Sequence, residues 1–140
     1  MVEFAVGAPL LLLLLYAITE LGWVLVQYSV LADAARNADR YLASNALLGS
    51  SGVVNLSNPL INATQNLAVF GNAAGTGAPL LPQLATSQVT IASDASNNVS
   101  VSIAYPYQSI VGGSIPLFVT NGALDTGNMT LSVYTTMLAL

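Results

Sequence analysis

The chain has 140 residues, of which 54% are hydrophobic and only 6% charged, and its formal charge is −4. An average soluble domain carries about 25% charged residues, so this surface needs lipid or protein neighbours, and its only cations, Arg36 and Arg40, cannot build the basic track that nucleic-acid phosphates require. Cysteine, histidine and lysine are absent, which excludes disulfides, thiolate metal sites, Schiff-base chemistry and the usual general bases; no catalytic residue, cofactor or metal is expected.

From Phe4 to Leu25 the chain is apolar except for Thr19 and Glu20, and Leu10 to Leu15 form an unbroken leucine run. About 20 such residues carry a helix across a bilayer core. Glu3 is the first charged residue and no small-residue cleavage site follows the run, so a retained span is predicted in preference to a cleaved secretory signal. Beyond it, Val24, Tyr28, Leu31, Ala35, Ala38 and Leu42 recur at spacings of four and three, one face of an amphipathic helix. Asp33, Arg36, Asn37 and Arg40 fall on another face, where Asp33 can pair with Arg36 for a few tenths of a kcal/mol. Together these patterns predict one continuous helix over residues 1–48, roughly 70 Å long at about 1.5 Å per residue, with Gly49 as its stop. Pro9 removes the hydrogen bond to the Ala5 carbonyl and, with Gly7 nearby, is expected to bend the first two turns.

After Gly52 the composition shifts to Asn, Ser, Thr, Gly and Pro, and residues 49–140 are read as a globular head. Asn58 followed by Pro59 signals a helix start, so a short helix is predicted over 59–70, with Leu60, Ile61, Thr64, Leu67 and Ala68 on one face and Gly71 at its end. Residues 72–79 read as a loop; Gly75 and Gly77 lack the preceding strand and the lysine that a phosphate cradle would need. Alternation predicts strands over 87–93 and 99–105, joined as a hairpin by the turn residues Asp94 to Asn98, and a third strand over 129–137. Three strands need a cover, and the outer half of the long helix supplies it. The expected fold class is α+β: one long N-terminal helix with a small antiparallel sheet packed on its outer half.

The segment Val2-Glu3-Phe4-Ala5, with Ala8-Pro9, the leucine run and Glu20-Leu21-Gly22, resembles the start of TadE-like proteins, the minor pilins or pseudopilins of the tight-adherence (Tad, type IVc) pilus. The resemblance continues through Asp33-Ala34-Ala35-Arg36, Asn66 to Asn72, Gly75 to Pro82, Tyr105-Pro106-Tyr107 and Thr130-Leu131-Ser132. It implies a pilin-like fold and a single-pass protein of the inner membrane that is later extracted into a cell-surface filament for adhesion. It also implies other copies or other pilins as partners through the helix, and a prepilin peptidase and pilus assembly machinery acting on the chain. By that likeness Glu3 is the glutamate whose carboxylate meets the free α-amino group of a neighbouring subunit and sets register; the bland alternative is a charge at headgroup level.

Glu20 lies roughly 25 Å further along the rod, with Trp23 and Gln27 on its face, and an inter-subunit contact is favoured over a membrane-boundary position. Glu3, Glu20 and Pro9 are thus the candidate assembly residues. Asp94 with Asn97 and Asn98, and Asp125 with Asn128, read as Asx-turn residues before calcium ligands. Asn-x-Ser/Thr triplets begin at Asn55, Asn62, Asn98 and Asn128, against about two that chance supplies in so Asn- and Ser-rich a chain, so glycosylation is only weakly signalled. The leading reading is a structural minor pilin at the tip or base of a filament; its rivals are a major subunit forming the filament body, a membrane-anchored enzyme or sensor, and a binding module that is membrane-anchored or secreted.

Overall fold

The computed structural model describes residues 2–47, 53–110, 114–116, 123–125 and 128–140. Helix α1 (Val2–Asn45) runs through Pro9 without interruption, and at about 1.5 Å per residue its length is roughly 66 Å. It ends before the expected stop at Leu48. The Ala46 carbonyl accepts the Asn55 N–H (2.8 Å) and Leu47 bridges Val54, so the chain has already turned into extended backbone. Leu48 and Gly49 lie outside the described residues, as do Met1 and the side chains of Glu3 and Asp125.

Helix α2 (Asn58–Phe70) starts one residue before the expected position: Ser57 is the N-cap and Asn58 is already helical. Its C-cap, Gly71, has φ +73° and its N–H bonds the Leu67 carbonyl, a backbone shape that favours glycine. The following loop is closed by Asn72, whose Oδ1 accepts the Thr76 N–H (3.1 Å) and whose Nδ2 donates to the Thr76 carbonyl (2.7 Å). Gly75 (φ +69°) sits against this ring. A Cβ there would come within 2.8 Å of the Asn66 side-chain amide.

Strands β1 (Val89–Ser93), β2 (Asn98–Pro106) and β5 (Thr130–Leu138) form an antiparallel sheet in the order β1-β2-β5. β1 begins later than residue 87 because Thr86–Gln88 form a 3-10 turn. Between β2 and β5, β3 (Ser114–Pro116) and β4 (Ala123–Asp125) make a separate two-stranded sheet. Strands of three residues are too short to display alternation, and sequence patterning missed both.

Inward residues of β2 (Val99, Val101, Ile103 and Tyr105) are buried against Leu31, Ala35, Ala38 and Leu42 of α1. The alanines let sheet and helix approach closely, and the sheet lies on the outer half of α1 as the patterning required. α2 adds Thr64, Ala68 and Val69 to the same core. Asp33, Arg36, Asn37 and Arg40 are all exposed, and Arg36 bonds Asp33 at 3.2 Å, an exposed pair worth little. Tyr28 departs from the expected inward face. It is exposed, and Gln27 occupies the buried position one turn below Leu31.

Candidate assembly helix and helix–head junction

The lower part of α1 is apolar and, among the described residues, largely exposed. Leu10, Leu12 and Ile18 are 72%, 68% and 63% exposed, whereas Leu31 and Leu42 are fully buried. From Val2 to Thr19 the helix measures about 27 Å, close to the ~30 Å hydrocarbon core of a bilayer. α1 is long and apolar enough to cross a membrane. On the side away from the head, however, Leu21, Leu25, Val26 and Tyr28 remain exposed as well. That apolar strip, from Phe4 to Tyr28, runs about 36 Å, longer than the core it would need to span.

Among the described residues, Glu20 is the first along α1 to hydrogen-bond the head. Its side chain is 5% exposed, and Oε1 accepts a 2.6 Å hydrogen bond from the Tyr107 hydroxyl. Burial pushes that hydroxyl above the usual tyrosine range, and the bond to Glu20 adds to the shift. Glu20 Oε2 and the Tyr16 hydroxyl, one turn below on the same face, are buried without a partner among the described residues. One and two turns above Glu20, Trp23 Nε1 (2.9 Å) and Gln27 Nε2 (2.7 Å) both donate to the Gln108 carbonyl. The face holding Glu20, Trp23 and Gln27 is therefore occupied by Tyr107 and Gln108 of the same chain. The sequence expectation placed Glu20 in a contact between subunits; within one chain its carboxylate is taken by the head.

Tyr107 and Gln108 were not singled out as site residues from the sequence. A signal existed for Tyr107: the alternation Val99, Val101, Ile103, Tyr105 extends one step past the end of β2, and Tyr107 is buried like the rest. Gln108 acts through its backbone carbonyl, which no side-chain pattern encodes. Pro9 is exposed within α1, and Glu3 stands in its first helical turn; neither is brought near Glu20 in one chain.

A second buried carboxylate lies higher on α1. Asp39 is fully buried, Oδ2 accepts a 2.8 Å bond from the Thr135 hydroxyl of β5, and Oδ1 has no partner among the described residues. Asp94 is an Asx-turn residue: Oδ1 accepts the N–H groups of Ser96 (2.8 Å) and Asn98 (3.1 Å), and Oδ2 the Asn98 side-chain amide (3.1 Å).

The family model described as TadE-like protein matches residues 1–40, the apolar lower part of α1 and the part that meets the head. This N-terminal segment is TadE-like. The match supports a TadE-like assignment for this segment, whose helix has the length and apolar composition of a membrane span. The blocks around Asn66 to Asn72, Gly75 to Pro82 and Tyr105 to Tyr107 lie beyond the matched residues. No curated protein and no solved structure matches the chain significantly.

Proposed function

We propose that this TadE-like chain is a non-catalytic pilin subunit of a Tad-type pilus, held in the inner membrane by α1 and then drawn into a cell-surface filament that serves adhesion. The observation that carries this reading is the apolar strip from Phe4 to Tyr28, exposed over a length greater than a bilayer core. Lipid can cover its lower part. Above Glu20, where the head begins, neighbouring copies of the same helix or other pilins are the natural cover. A minor subunit at the tip or base is the first reading. A place in the filament body is the second, favoured by the near absence of charge on the head.

In this proposal Glu3 enters the filament core with its helix, where an unpaired charge would cost several kcal/mol. Its partner is the α-amino group of a neighbouring copy, and Pro9 loosens the first turns so that the two can meet. Glu20 contributes to assembly by fixing the head against one face of α1, leaving the opposite face to neighbours. Glu3→Gln keeps the shape and removes the charge. Its level in the membrane fraction should match the parent, while its level in sheared filaments falls. Unchanged filament incorporation would show that charge at Glu3 does not drive assembly. A stable monomer of the parent chain without detergent would overturn the filament reading itself.

A further inference from the structure

β5 is an edge strand, and no other described strand pairs with its outer side. In an antiparallel pair, alternate residues turn their N–H and C=O toward the partner strand. The ladder between β2 and β5 passes through Tyr107 N–H to the Met129 carbonyl (2.8 Å) and Ala139 N–H to the Asn97 carbonyl (2.9 Å). Odd-numbered residues of β5 therefore face β2. Ser132, Tyr134, Thr136 and Leu138 direct their backbone groups away from the sheet, and those groups find no hydrogen-bond partner among the described residues. The opposite edge, β1, is likewise unpaired by any other described strand. The bond from Asp94 N–H to the Asn98 carbonyl places Ile91 and Ser93 on the free side of β1. Among the described residues, the groups taken there are those of Val89, whose N–H bonds the Thr86 carbonyl and whose carbonyl accepts the Gln65 side-chain amide at 3.1 Å.

Unpaired edges are templates for strand addition, and proteins that stay monomeric blunt them with lysine, proline, bulges or inward charges. Neither edge uses these devices. β1 reads Val-Thr-Ile-Ala-Ser and β5 Thr-Leu-Ser-Val-Tyr-Thr-Thr-Met-Leu, both without charge or proline, and the β2–β5 register runs unbroken from Asn98↔Leu138 to Pro106↔Thr130.

The choice of partner follows from direction. β1 and β5 are each antiparallel to β2, so they are parallel to each other, and β1 of a second copy can join β5 with both copies pointing the same way. Pairing β5 with β5 antiparallel instead requires a two-fold axis perpendicular to the sheet. α1 lies along the sheet face, with Leu31 to Ala46 in the shared core and Asp39 bonded to Thr135 of β5. Such an axis would reverse α1 between the two copies. Copies sharing one membrane insert α1 in one sense, which excludes that arrangement. The geometry points to a head-to-tail contact in which the β5 edge of one copy pairs in parallel with the β1 edge of the next. It is a heterologous contact of the kind that propagates through a filament.

This inference rests on the assembly reading above, and its test separates the two. The chain has no cysteine, so introduced thiols are the only ones present. Two versions of the full chain are co-expressed in membranes and mildly oxidised, one carrying Ser132→Cys, Tyr134→Cys or Thr136→Cys and the other Thr90→Cys or Ala92→Cys. Neighbouring strands place same-face Cα atoms within disulfide reach. The expected result is a β5-to-β1 cross-linked dimer for one register of pairs and its absence for the others. Leu12→Cys independently reports contact between α1 helices. Leu12 cross-links without any β5-to-β1 product would overturn the edge pairing and leave the assembly reading standing, and loss of both would overturn both. Dominant Tyr134→Cys homodimers would overturn the parallel pairing in favour of β5 on β5. Tyr134→Pro removes one outward N–H and leaves the ladder to β2 intact; in that background the Ser132→Cys with Ala92→Cys product, or whichever pair fits the register, should fall several-fold.

Discussion

Tyr107 ties the head to the helix through one short bond, and its contribution can be isolated. In Tyr107→Phe the ring stays buried while Glu20 Oε1 loses its donor, an omission worth about 1–3 kcal/mol. Trp23, the single tryptophan, bonds the adjacent Gln108 carbonyl, so its fluorescence reports the same junction during denaturant unfolding in detergent. The variant should unfold at a lower midpoint, and an unchanged midpoint would show that the bond adds nothing. At the far tip of the hairpin, bonds from the Asn98 side chain and from the Asn98 and Ser96 backbone hold the Asp94 carboxyl below the usual aspartate range. A depressed folded-state value means that the turn is supported above the ordinary carboxylate range and loses that support as pH falls through the lower, folded value. The protection factors of the Ser96 and Asn98 amides, taken against intrinsic exchange at each pH, should therefore fall on acidification through that folded value. In Asp94→Ala they should be low already at neutral pH, with no acid step.

The loop after α2 offers a test at the level of an element. Gly75→Ala meets both the positive φ and the Asn66 amide 2.8 Å away, whereas Gly77→Ala (φ +99°) meets open space and pays only for its backbone. Both should lower the melting temperature, with Gly75→Ala the worse by the cost of displacing Asn66 from its bond to the Ala73 carbonyl, about 1 kcal/mol. Equal losses would show that Asn66 moves aside freely. The elements themselves were legible where a period had room to repeat: α1, α2 and the three long strands all announce themselves by alternation or helical spacing. The junction was less so. Tyr28 and Gln27 are adjacent, and hydrophobicity chooses the tyrosine for the core, yet the buried one is Gln27 because the Gln108 backbone, 81 residues away, supplies both a donor and an acceptor for its amide. Glu20 was recognisable as an odd charge in an apolar helix, but its partner depended on where the chain leaves β2. β3 and β4 were illegible because three residues carry no period.

At the scale of the whole molecule, α1 works in two surroundings at once. Its first half is largely exposed among the described residues, and its second half is built into the core of the head, so no free linker separates the apolar part from the sheet. The full burial of Ala35, Ala38, Asp39 and Leu42 has a consequence for digestion. Trypsin cuts after lysine or arginine, and the chain offers only Arg36 and Arg40. Both side chains reach solvent, but cleavage requires the surrounding backbone to leave its helix, which strips the core of the head from α1. The folded chain should survive trypsin at levels that cut the denatured chain promptly, and its rate of loss should follow global unfolding. Native cleavage after Arg36 at the denatured rate would mean that the middle of α1 opens by itself. Without lysine elsewhere, the two sites that a secreted trypsin-like protease recognises lie in the one segment that cannot be offered to it without dismantling the fold.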